Sequence, residues 1–590
     1  MISVRTTSTR TLSCLFLATA ALGFAASSAD PVFDAMQAEL KRSMTLSLKQ
    51  LEKPYFVSYT IDTGHEWSAT AVMGGLLGVS SEPFRYPAMQ LRVGDYKFDQ
   101  TNYAGGGRGA SYSLSGFPLD NDPAVIRQYL WLQTDSAYKS SLDAIARKRA
   151  ILKSVTVSDE LPDFAPAKTN TLIEDRPPIQ FDDKTWNERT KRISAIFDGY
   201  SNLRASVADY TAFDAVHRYV NSEGTIVKLP QSEGQFQIRA SAQAPDGMIV
   251  RDDALFYTND ITKMFSEDEL AKAAKSVADE VTKLAAAPMG ENYSGPILFE
   301  GIAAPQLLAE ILGRNLHISR KLTGAGGSNP TELEGRRGVR IMPGMFDVTD
   351  DPTLPMFGRT EVDDEGVSGG PLTLVEKGVL KDFLRTRTPV RGYDESNGRA
   401  LLGGTPTPTN LIIKARETSS VADLRAKMID VCKQRGLSYA IVVKKLDFPS
   451  TASGEEMRHL VSGGSGGRPI AMPLYIFKLY TDGHEEMIRG VKLRGVNARS
   501  LKDILAAGDD QNRLDYLENG ATFAQVGAGG YTSEVSVVAP SILVDDLELT
   551  KMEDELPKLP IAPSPMLTET ALSGVASTAS SKAANAPTAR

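Results

Sequence analysis

Residues 295–317 constrain this chain more than any other stretch. Residues 296–299 form a short apolar run that predicts a buried strand. Gly301 supplies a turn, and the helix after it can use Pro305 in its first turn. Leu307, Leu308, Ile311, Leu312 and Leu316 give that helix a wide apolar face. Glu310, Arg314 and His317 fall at i, i+4 and i+7, so they are expected together on the other face. An acid, a base and an imidazole in that arrangement describe either a site or an ordinary polar helix surface.

The surrounding chain of 590 residues, 42% of them hydrophobic, has ample material for more than one core. Its 65 basic and 73 acidic residues give a formal charge of -8, which carries no nucleic-acid footprint. Residues 1–29 read as a signal peptide. Arg5 and Arg10 precede a short apolar run, and small residues lead to an expected cleavage before Asp30. No later run is long enough for a membrane span, so the mature protein is expected to be exported, periplasmic or extracellular. Cys14 leaves with the leader and Cys432 reads as a buried small residue, so no disulfide is expected.

The periodicities predict helices over 33–51, 122–153, 184–200, 266–284, 420–435 and 497–507. The second of these draws its apolar stripe from Tyr129, Leu130, Leu132, Leu142, Ile145 and Ile151. Strands are expected over 55–61, 69–79 and 89–98, then as a block over 203–213, 217–220, 225–229, 236–242 and 248–256. Further strands follow at 339–348, 372–379, 383–388, 411–414, 439–446, 471–480 and 485–494. The proline-rich stretch 156–178 reads as a linker and 397–410 as a polar loop. Residues 105–109, 322–330 and 462–467 read as glycine-rich loops, the last as a lid. Residues 551–590 are rich in Pro, Ala, Ser and Thr and read as a disordered tail. The fold class is α+β, with mixed and antiparallel sheets and long helices.

Several motifs recur in a fixed order. Val93-Gly94-Asp95-Tyr96 lies in the first half. Asp350-Asp351-Pro352, Asp363-Asp364-Glu365-Gly366, Leu374-Val375-Glu376, Gly378-Val379-Leu380 and Pro406-x-Pro408-x-Asn410-Leu411 lie in the second. With the strand–turn–helix of 295–317, this order resembles the TldD/TldE (PmbA) metallopeptidase family, also called the modulator of DNA gyrase family. The resemblance spans about 30–549 and is densest over 297–412. It implies a two-domain TldD/PmbA-like fold: an N-terminal domain over 30–200, a strand-rich region over 201–290, and a C-terminal metalloprotease domain over 291–550.

The family's metal helix reads Leu-Leu-His-Glu-x-x-x-His. Leu307, Leu308 and Glu310 match it, and the two histidine positions are Ala309 and Arg314. Five residues turn a helix through about 500°, leaving such histidines about 140° apart, so the helix must distort where Gly313 stands. The third ligand that the resemblance implies is a cysteine, and 524–530 contains none. Arg314 would place a fixed cation where a dication should sit, and an i, i+4 pair with Glu310 is expected instead.

By resemblance, Glu310 occupies the general-base position, His317 is a speculative second catalytic group, and no metal ligand set is retained. No cofactor is expected, with zinc only if the site has been rebuilt. The expected protein is a catalytically silent, TldE-like subunit or peptide-binding pseudo-peptidase. It would pair with a TldD-type catalytic paralogue or with itself, and would hold a peptide. Two alternatives stand beside this: an active peptidase that uses Glu310 and His317 with Asp363 or Glu365, and an envelope scaffold or binding protein. Among the remaining histidines, His65 and His484 read as exposed turn residues.

Overall fold

The computed structural model describes residues 30–48, 50–106, 110–111, 117–155, 161–324, 331–454, 456–457, 469–528 and 532–552. The expected leader, the lid at 462–467, most of the tail and parts of the loops at 105–109 and 322–330 lie outside them.

Alternation of apolar and polar residues builds one long hairpin, β1 (Pro54–Val72) and β2 (Gly75–Val93), about the left-handed residues Met73 and Gly74. Helix α1 (Pro31–Ser43) precedes it, with the Asp30 carboxylate accepting the Phe33 N–H as its cap. Strand β3 (Ala110–Ser111) and helix α2 (Pro123–Leu152) follow, then β4 (Thr171–Ile173) and α3 (Asp183–Ala195). Strands β5 (Leu203–Asn221), β6 (Ile226–Gln243) and β7 (Ile249–Thr258) lead into α4 (Glu267–Ala286). All seven strands join one sheet in the order β3-β2-β1-β5-β6-β4, with β7 also paired to β6.

Residues two apart on a strand share a face. Val57, Tyr59 and Ile61 therefore point the same way as Ala69. The first three pack under α1 and α2, and Ala69, with Tyr210 and Phe236, packs under α3 and α4. All four helices thus cover one face. The other face carries Tyr219, Val227 and Leu229, which receive Val362 of the second half.

The second half begins with β8 (Tyr293–Phe299) and α5 (Ala303–Ile311). After β9 (Phe346–Asp350) come β10 (Leu372–Glu376), β11 (Val379–Leu380), β12 (Ala400–Leu401), β13 (Thr405–Pro406) and β14 (Asn410–Ala415). Helix α6 (Val421–Arg435) and β15 (Tyr439–Leu446) precede β16 (Pro473–Tyr480), β17 (Glu485–Ile488), β18 (Val491–Arg494) and β19 (Ile504–Ala507). Strands β20 (Asn512–Glu518), β21 (Ser533–Ala539) and β22 (Ile542–Lys551) close the fold. One sheet runs β17-β16-β15-β8-β22-β18 with β19 beside β22, and the other runs β11-β10-β9-β14-β21-β20. Helix α5 is packed between these two sheets, while α6, with its buried Cys432, covers the outer face beside Leu298. The fold is therefore mixed α+β in two halves, as the sequence implies.

Several boundaries differ from expectation. Helix α1 stops at Ser43, where the chain turns toward β1, and Leu48 and Leu51 are exposed. Residues 69–79 are the two arms of a hairpin rather than one strand, and the expected strand at 89–98 ends at Val93. The separate strands expected over 203–242 fuse into β5 and β6, because the ladder between them runs unbroken through Asp214 and residues 230–235. Tyr129 and Leu132 of the expected α2 stripe are exposed, and Ile126 and Tyr138 are buried in their place. The expected linker at 156–178 contributes β4 and the fully buried Phe164. The strand expected at 339–348 is confined to β9, and 383–388 forms no named strand. The expected polar loop at 397–410 folds into the β12–β13 ladder. Residues 485–494 split about Gly490, and 497–507 is a 3₁₀ turn followed by β19 rather than a helix.

The two halves meet at Phe164. The guanidinium of Arg92 stacks 3.7 Å from its ring and that of Arg387 4.0 Å from it. Arg387 reaches back to pair with Glu223 at 2.5 Å.

Candidate functional site

The chain leaves β8 through Glu300 and the left-handed Gly301, then enters α5. Every residue of α5 is buried, because sheets cover it on both sides. This corrects the expectation of a helix with one apolar and one polar face. Its two polar side chains, Gln306 and Glu310, are one turn apart and both hold backbone. The Gln306 carbonyl oxygen accepts the Leu446 N–H at 2.7 Å, and its amide donates to the Phe448 carbonyl at 2.5 Å. Glu310, 4% exposed, accepts the Ala471 N–H at 3.0 Å. A buried carboxylate without such a donor would cost several kcal/mol, on the order of 1–3 for the missing bond alone.

The helix then changes character. Leu312 sits at φ -108° and ψ -61°, and Gly313–Asn315 form a 3₁₀ turn. The distortion expected of a two-histidine site is thus present without the histidines. Gly313 is not sterically required there, since an added Cβ would only touch Leu411 at an ordinary 3.4 Å.

The turn carries Arg314 inward. Its guanidinium forks onto Glu518 at the end of β20, with Nε donating at 3.2 Å and Nη2 at 3.1 Å. Nη2 also donates to the Ala521 carbonyl at 3.2 Å, and the group lies 5.4 Å from the Phe448 ring. The two side chains are 8% and 9% exposed, so this is a buried bidentate ion pair. Arg314 therefore pairs with Glu518 and not with Glu310, because the 3₁₀ turn rotates it off the helical i, i+4 row. Residues 521–526 pack against the same spot. Phe523 and Ala524 are both left-handed, and Ser450 bonds both Phe523 and Val526 through its backbone. Ala521, just before the stretch expected to carry the third ligand, thus bonds Arg314.

His317 lies beyond the turn, off the face of Glu310, and its backbone pairs with Leu384. The acids of 363–365 are committed to loop geometry. Asp363 accepts the Glu365, Val367 and Ala400 N–H groups at 2.9–3.0 Å, and Glu365 accepts that of Arg387 at 2.7 Å. His65 bonds Ser81, His217 bonds Asp62, and His484 is exposed beside Tyr480. Among the described residues, no group of three or more His, Cys, Asp or Glu side chains can hold a metal ion.

At the two helical positions where the resemblance puts histidines, the structure offers the Ala309 methyl group and the Arg314 guanidinium. That donor set does not fit zinc, which takes imidazole, thiolate or carboxylate in tetrahedral array. Gln306, Phe448 and Glu518 are the residues that sequence reasoning missed. The alternation over 512–518 ahead of Asn519-Gly520 is a strand-and-turn signal that points to where Glu518 sits.

The second half thus holds a buried helix between two sheets, entered from a buried strand and ending in a 3₁₀ turn. The sequence profile described as the PmbA/TldA metallopeptidase C-terminal domain matches residues 292–446. A protein named metalloprotease from Archaeoglobus fulgidus is 31% identical over 141 residues, 24% of this chain and 31% of that protein. A protein of the same name from Methanothermobacter thermautotrophicus is 26% identical over 257 residues, 41% of this chain and 53% of that protein. The chain thus spans between a third and about half of these relatives' length. In three dimensions it resembles TldE from Thermococcus kodakarensis, with TM-score 0.57 and 13% identity over 88% of this chain and 100% of that one. It also resembles a protein described as a modulator of a DNA gyrase from Thermotoga maritima, with TM-score 0.54 and 15% identity over 84% and 96%. These matches support the TldD/PmbA family for this chain, whose residues 292–446 carry its C-terminal domain.

Proposed function

We propose that this chain is a catalytically silent, TldE-like member of its family, which holds peptide and completes the chamber of a catalytic relative. One observation carries the reading: the buried Arg314–Glu518 fork stands where the family's second helical ligand would stand. A guanidinium there repels a dication, and its partner carboxylate is already bound. Glu310, in the general-base position, has its carboxylate engaged by the Ala471 N–H. The partner is a TldD-type paralogue or a second copy, and the leader-like sequence of residues 1–29 supports an exported compartment.

Hydrolysis of an unfolded polypeptide by the purified mature chain, with zinc supplied, tests this. No turnover is expected from the chain alone, and Glu310→Gln is expected to change nothing. Turnover by the chain alone, abolished in Glu310→Gln, would establish instead an active peptidase with a remodelled site.

A further inference from the structure

A second feature lies far from α5, at the N-terminus of α1. A cleft of about 280 Å³ opens there between α1, the hairpin β1–β2 and the segment after β4. Four cations line it, Arg85, Arg176, Arg218 and Lys228, against three carboxylates. Asp30 is shared by Arg218 at 2.9 Å and Lys228 at 3.2 Å, and Lys228 also takes Asp175 at 2.5 Å.

Arg85 has no such partner. Its side chain is buried, and it donates only to neutral acceptors: the Thr63 hydroxyl, the Pro118 and Asp120 carbonyls and the Asn121 amide oxygen. These four bonds leave one of the five guanidinium hydrogens unused. Burial and the neighbouring Arg218 hold its pKa below the ordinary arginine value, against the opposite pull of Asp30 and Asp120. Arg176 pairs through Nη2 with Asp214, while its Nη1 is buried with no partner among the described residues. One cleft therefore gathers a buried guanidinium bonded only to neutral acceptors, a second with an orphaned nitrogen, and the positive end of a 13-residue helix.

We propose that this cleft binds a small oxyanion, a phosphate or carboxylate group, through Arg85 and Arg176. Guanidinium forks match both groups in planar geometry. The cleft's size suits a ligand of a few non-hydrogen atoms rather than a peptide. The site does not depend on the metal position or on whether the chain is catalytic.

Isothermal titration of the purified full chain with inorganic phosphate, and separately with succinate, tests this. Saturable one-site binding of either probe is expected, and which one binds tells phosphate from carboxylate. Arg176→Gln, a half-buried residue whose loss spares the core, is expected to weaken binding at least about tenfold, one charge-assisted bond's worth. Arg85→Gln is expected to do the same where it folds. Absence of saturable binding of both probes would overturn the proposal, and so would unchanged affinity in Arg176→Gln.

Discussion

Arg314 is the residue on which the functional reading turns, and its energetics are testable without any substrate. Its guanidinium and the Glu518 carboxylate are both buried, so removing one leaves the other uncompensated. Arg314→Ala is expected to destabilise the protein by about 3–5 kcal/mol. Replacing both residues by leucine is expected to recover most of that loss, since a well-packed apolar pair replaces the fork. Midpoints of chemical denaturation for the single and double variants check this, and a single variant that costs nothing would contradict it. The cation at 314 was legible in the sequence, and so was its conflict with a metal. Its partner was not: Glu518 lies 204 positions away, and spacing rules reach only one or two helical turns. Glu310 was likewise legible as a carboxylate at a family position, whereas its backbone partner Ala471 depends on how β16 enters its sheet.

At the scale of elements, the loop at 360–367 shows how the second half is held to the first. Gly366 lies so close to Tyr219 that an added Cβ would be 2.6 Å from its ring, and the Tyr219 hydroxyl donates to the Glu365 carbonyl. The Asn170 amide donates to the Gly366 carbonyl at 2.7 Å. Beside this contact His217 on β5 bonds Asp62 on β1 at 2.7 Å and faces Asp364 of the loop. Arg218 on its own strand opposes it, and Leu229 on β6 is its apolar cross-strand neighbour. Burial works against the imidazolium, but Asp62 and Asp364 outweigh it and raise the His217 pKa. A raised base contributes stability that is complete below its unfolded pKa of about 6.5 and is lost as pH rises through the folded value. Thermal midpoints measured from pH 6 to pH 9 are therefore expected to fall less steeply in His217→Gln than in the parent. Identical slopes would contradict this role. The sequence placed the strands but cut them short. Residues 203–221 and 226–243 alternate against two surfaces, helices on one side and the second half on the other, so their polar positions looked like breaks. The α-to-3₁₀ change at Leu312 was legible only as a requirement of the family's metal site, and it persists in a chain that lacks the ligands.

At the scale of the whole molecule, the order of motifs carried the fold further than periodicity did. Each of the short motifs between 350 and 411 is a turn or a strand end, and together they mark out β9, β10, β11 and β14. What they could not specify is the contact between halves: Phe164 between Arg92 and Arg387 joins three segments far apart in the chain. That contact, with the Arg387–Glu223 pair, joins the sheet of the first half to the second. Among the described residues no helix is long and apolar enough to cross a membrane. The central claim is that an ion pair has taken the place of a metal. It is tested most directly by elemental analysis of the purified mature chain, alone and after co-purification with any catalytic relative. The account predicts no stoichiometric zinc in the chain alone and one metal per heteromeric pair. One zinc per chain, retained by the isolated protein, would contradict it.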